Sequence, residues 1–97
     1  MKINSYQEFQ QSLQNNMPDE DWSDGLKALW FDAKGDWGSS HNIAQEMHSN
    51  LGSLIHAYLH RKEGDEFNAG YWYRKAQRSY PKISLEAELE EIVISIL

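Results

Sequence analysis

The stretch that decides the fold runs from Leu54 to Pro81 and reads LIHAYLHRKEGDEFNAGYWYRKAQRSYP. Leu54, Ile55, Tyr58 and Leu59 recur at offsets of three and four, which is one stripe of an α-helix. Gly64 offers the left-handed backbone that ends a helix without a Cβ penalty. Asp65 can then accept hydrogen bonds from the free N–H groups of the next first turn. Ala69, Tyr73 and Ala76 continue at helical spacing, with Ala69 small enough for a partner helix to come close and Tyr73 filling the space one turn on. Pro81 forbids further helix. The expectation is two antiparallel helices joined by a tight bend.

The mutual spacing of Ala57, Gly64-Asp65, Ala69, Tyr73, Ala76 and Pro81 resembles a tetratricopeptide-type helical hairpin. His56 and His60 depart from that pattern, standing where a large apolar residue and an aromatic are usual. The HAYLHRKEGD and YWYR segments are also similar to a group of small all-helical proteins with no established activity. Those likenesses imply a fold and no mechanism.

The rest of the chain fits the same grammar. Ile3, Tyr6, Phe9, Gln10 and Leu13 form a broken helical stripe, with Asn4 or Ser5 as its cap and Asn15 to Pro18 as its end. Asp19 to Asp21 are expected at the start of the next helix, where the dipole favours negative charge. Trp22, Leu26, Leu29, Trp30 and Ala33 give its apolar face; Gly25 either weakens that helix, by about 1 kcal/mol relative to Ala, or permits a close crossing. Gly35-Asp36 precedes Gly64-Asp65 by 29 residues, and Ala28 precedes Ala57 by the same 29, a faint internal repeat. Ile43, Ala44, Met47 and Leu51 continue a stripe, and Asn50 to Ser53 is expected to hold a turn with Gly52 as hinge. Ser84 caps a last helix with Leu85, Leu89, Ile92, Val93 and Ile96 on its apolar face and four Glu in its first half. Ile94 and Leu97 fall outside that face and could support a homodimer or fray. The prediction is all-α: five or six short antiparallel helices, a tetratricopeptide-like hairpin core, and a C-terminal helix capping the exposed end.

With 97 residues, one domain spanning 1–97 is expected. Four Trp, five Tyr and three Phe suffice for a compact core. Without cysteine there is no disulfide and no thiolate zinc site. No apolar run approaches the roughly 20 residues that span a bilayer. The opening MKINSYQEFQ has one lysine and no apolar h-region, so a cytoplasmic location is expected rather than secretion. The net charge of -6 is uneven. Residues 1–60 and 83–97 are acidic, whereas 61–82 hold six Lys or Arg against three acids. Acidic ends argue against general nucleic-acid binding. The basic segment can bind an acidic partner or face acidic segments of its own chain.

Two constellations could carry chemistry. His56 and His60, four apart, share a helix face away from the Leu54–Tyr58 stripe, and His41 and His48, seven apart, share a face of the preceding helix. If the faces meet, four imidazoles with an oxygen from Glu46, Asp36 or Glu63 would suit zinc. The plainer reading is hydrogen bonding between helices. Around Tyr71-Trp72-Tyr73-Arg74, Tyr73 belongs to the core, as do Trp22, Trp30 and Trp37. Tyr71, Trp72, Arg74, Lys75 and Arg78, joined by Arg61 and Lys62, could grip an acidic or extended peptide. No clustered glycines make a phosphate loop, no nucleophile elbow is present, and Ser39-Ser40-His41 is poorly oriented for nucleophilic work. The leading reading is therefore a non-catalytic, helical-repeat-like protein that binds a peptide and needs no cofactor. The rival is a zinc-dependent hydrolase-like enzyme built on the histidines.

Overall fold

In the computed structural model, which describes residues 2–97, every helix starts at a Ser or Asp side chain that accepts from the backbone N–H three residues on. The helices are α1 (Tyr6–Ser12), α2 (Asp24–Ala33), α3 (Trp37–Glu46), α4 (Asn50–Lys62), α5 (Glu66–Lys75) and α6 (Leu85–Ile96). Their caps are Ser5, Ser23, Asp36, Ser49, Asp65 and Ser84. The chain is all-α, with no strand among the described residues.

The two Gly-Asp steps close their helices identically. Gly35 and Gly64 adopt φ of 92° and 87°. At the first, Asp36 N–H bonds Phe31 O at 2.8 Å and Gly35 N–H bonds Asp32 O at 2.9 Å. At the second, Asp65 N–H bonds His60 O at 2.9 Å and Gly64 N–H bonds Arg61 O at 3.1 Å. These are Schellman closures, which satisfy carbonyls that a helix end would otherwise leave free. The turns place α3 against α2 and α5 against α4.

α4 is the hub: it packs against α2, α3, α5 and α6 and is buried from Gly52 to Leu59. Ile55, Ala57 and Leu59 are fully enclosed, and Ala28, Trp30, Ala69, Tyr73 and Val93 close around them in one contiguous cluster. Gly25 is buried at the α2–α4 crossing, where a Cβ would come within 2.9 Å of Leu51 Cδ2. Two buried carboxylates tie the layers. Asp32 meets Lys62 Nζ at 3.1 Å and also engages Tyr58, while Glu88 accepts from Arg61 at 2.8 Å and from the Tyr73 hydroxyl at 2.6 Å. A buried carboxylate needs such partners to offset its lost hydration.

Four sequence expectations are corrected. α2 begins at Asp24 behind Ser23, so Asp19 to Asp21 lie in a preceding turn and Trp22 is buried ahead of the helix. Asn50 to Ser53 is helix, not turn: Ser49 caps α4, and Gly52 sits where a Cβ would come within 2.4 Å of the Met47 carbonyl oxygen. α3 therefore stops at Glu46, which leaves His48 off the α3 face it was expected to share with His41. α5 ends at Lys75, well before Pro81, with Gln77 in the left-handed region at φ 62°.

Candidate metal centre

The α3–α4 contact brings His41 to His56 and His60. A ring nitrogen of each lies within 4.8 Å of a ring nitrogen of the other two. His56 and His60 are one turn apart on α4, and their rings stack with centroids 4.9 Å apart. His41 meets both edge-on, at 4.5 Å and 5.4 Å. Two indoles wall the group. Trp37, one turn before His41 on α3, stacks on that imidazole at 4.8 Å and fixes its own Nε1–H on Leu59 O at 2.9 Å. Trp72 of α5 stacks flat on His56 at 3.9 Å.

Protonation follows from burial. His56 is only 6 % exposed, and burial, then the neighbouring His41 and His60, push its pKa down to about 4. Burial also lowers His41, with His60 adding to the effect and Glu63 opposing it. Both are neutral near pH 7, the state in which imidazole binds a metal. His60 differs in having a carboxylate partner: its Nδ1 lies 2.7 Å from Glu63 Oε1. Donation from Nδ1 leaves the Nε2 lone pair of His60 free for coordination, the usual division of labour in carboxylate–histidine–metal sites. No described residue hydrogen-bonds to a ring nitrogen of His41 or His56.

The donor set fits a divalent transition metal. On tetrahedral zinc, with Zn–N of about 2.0–2.1 Å, ligand nitrogens sit about 3.3 Å apart. The present nitrogens lie within 4.8 Å of one another, so they would close by no more than about 1.5 Å to reach that spacing.

The other expected site residues are placed as follows. His48 lies in the α3–α4 linker, exposed and apart from the three converging imidazoles. Among the proposed oxygen donors, Glu63 orients His60, Asp36 is engaged as the α3 cap on Ser39, and Glu46 belongs to no cluster of three or more metal-ligating side chains among the described residues. Arg61 and Lys62 are turned inward onto Glu88 and Asp32, and Arg61 also donates to the Ile83 carbonyl. Trp72 lies against His56, and Lys75 Nζ stands 5.2 Å over the Trp72 ring. Tyr71, Arg74 and Arg78 are exposed. Of the two walls of the imidazole group, only Trp37 had a signal in the sequence, its position four before His41; Trp72 depends on how α5 docks.

Comparison with protein families, with curated proteins and with solved structures finds no match to this chain. No described helix is long and apolar enough to cross a membrane.

Proposed function

We propose that this protein binds one divalent transition metal, zinc being the best match, through His41, His56 and His60. The observation that carries the reading is the convergence of three ring nitrogens from two helices, two of them without a hydrogen-bond partner in the described chain. Three imidazoles leave a tetrahedral ion one open position, the pattern of catalytic rather than structural zinc. Bound zinc supplies Lewis acidity and activates water, so a hydrolase-like reaction is the chemistry such a centre supports. Within that reading Glu63 orients His60, and Trp37 and Trp72 exclude water from the imidazole faces.

Titration of zinc into chelator-stripped protein tests this. One equivalent should bind, and His56→Ala and His60→Ala should each weaken binding at least ten-fold while far-UV circular dichroism stays unchanged. Undiminished binding in both variants, or none in the parent, overturns the reading.

A second reading concerns the outer face of α5. Phe67 is 84 % exposed and Tyr71 47 %, and Arg74 on the same helix has no carboxylate partner among the described residues; Arg78 lies beyond the helix end and lines a cleft with Tyr73 and Glu88. Exposed aromatics beside an unpaired guanidinium suit an acidic peptide. The tetratricopeptide-like architecture belongs to this reading. It is supported by the burial of Ala57, Ala69 and Tyr73 and by the shared geometry of the two Gly-Asp turns. A homodimer through the exposed Ile94 and Leu97, and a cytoplasmic setting, complete it.

A further inference from the structure

We infer that the cleft beside His56 is a binding site for the oxyanion head of a small molecule, a phosphate or a carboxylate, held by Lys75. The inference goes beyond the metal reading by assigning a ligand class to a separate cleft that shares only His56 with the imidazole cluster. The cleft itself is independent of any ion.

The cleft has a volume of about 510 Å³ and lies between the end of α3, the start of α4 and the end of α5. That is within the range of small-molecule sites. His56 and Trp72 line it, together with the polar side chains of His48, Asn50, Ser53 and Lys75. Not one carboxylate lines it, although the chain carries fifteen Asp and Glu against nine Lys and Arg. In a protein of net charge -6, a concave surface lined by a lysine and by no acid favours an anionic over a cationic ligand.

Lys75 suits the role because it lines the cleft and is not drawn into an ion pair among the described residues. Arg61 and Lys62 are committed to Glu88 and Asp32. Lys75 has no carboxylate partner among the described residues, and its ammonium is steadied over the Trp72 ring at 5.2 Å and the Tyr71 ring at 6.0 Å. A lysine held at the mouth of an acid-free cleft attracts an oxyanion, and the amide of Asn50 and the hydroxyl of Ser53 offer donors on the α4 side. The ligand's remaining atoms would then lie along Trp72 and reach His56, which faces both the cleft and the imidazole group.

The test is titration of the full-length, chelator-treated protein with inorganic phosphate, and separately with acetate, followed by ¹⁵N–¹H correlation spectra at constant ionic strength set by chloride. Saturable shifts confined to the amides of Asn50, Ser53 and Lys75 and the Trp72 indole are expected, with affinity falling at least five-fold in Lys75→Gln and further in Lys75→Glu. The stronger of the two anions identifies the head group. Shifts spread over the basic side chains generally, shifts indifferent to the Lys75 variants, or no saturable shift with either anion would overturn the inference. Parallel zinc titration of the parent separates the two claims. Anion binding without zinc binding removes the metal centre and leaves the cleft site standing. Zinc binding without anion binding does the reverse.

Discussion

His56 lies between Trp72 and His41, with the ring held neutral by burial. In the unfolded chain it titrates near 6.5, whereas in the fold it resists protonation until about 4. Between those values the unfolded state binds more protons, so metal-free protein should lose stability as pH falls from about 6.5 to about 4, by up to roughly 3 kcal/mol. His41 is shifted the same way and steepens the slope. Chemical denaturation across that range, in chelator, checks it, and His56→Phe should flatten the profile. Gln77 makes a separate prediction. A non-glycine residue in left-handed backbone costs about 1–2 kcal/mol. Gln77→Gly should therefore stabilise the protein by about 0.5–1 kcal/mol after the added freedom of the unfolded chain is counted, read as a higher denaturation midpoint. The positions of His56 and His60 on one face follow from their spacing of four. The burial of Glu88 does not, because the surrounding Glu-rich turn reads as a solvated helix start. Only the Tyr73 hydroxyl and Arg61, distant in sequence, reveal that it lies inside.

Helix boundaries show what local chemistry specifies and where it stops. Ser84 and Asp65 are legible as caps because each is a short acceptor just ahead of a helical stripe, whereas ahead of α3 Asp36, Ser39 and Ser40 all qualify by sequence and only the structure picks Asp36. Asp65→Ala should cost about 1 kcal/mol by thermal or denaturant unfolding, the usual value of a lost cap. The α3–α4 junction is not legible in the sequence because Gly52 looks like a hinge. Its small size instead lets the Met47 carbonyl lie against the first turn of α4, a tertiary reason invisible to propensity. Gly52→Ala should cost about 1–3 kcal/mol, as overpacking does. A neutral effect would show that the junction relaxes freely. A turn at Gly52 would leave His48 on α3, whereas α3 ends at Glu46 and His48 lies outside the imidazole group.

At the scale of the whole molecule, α4 is a helix with no solvent face over most of its length, and the other elements are arranged to cover it. α6 closes the assembly with Ile92 and Val93 and supplies Glu88 to Arg61 and Tyr73. Deleting residues 83–97 should strand the Arg61 charge and expose the core. The loss of near-UV circular dichroism and of cooperative unfolding would be the readout, whereas a cooperatively folded fragment would show that α6 is accessory. All-α architecture and the two Gly-Asp hairpins are readable from spacing alone. That α3 and α5 press a Trp onto each side of the histidines is not, since it depends on how the two hairpins dock. The claim on which the functional account rests is that these three imidazoles close around one ion. Zinc K-edge X-ray absorption on protein loaded with one equivalent and desalted tests it most directly. The account predicts retained zinc bound to three imidazoles with Zn–N of about 2.0–2.1 Å. Zinc lost on desalting, or bound by fewer than two imidazoles, would contradict it.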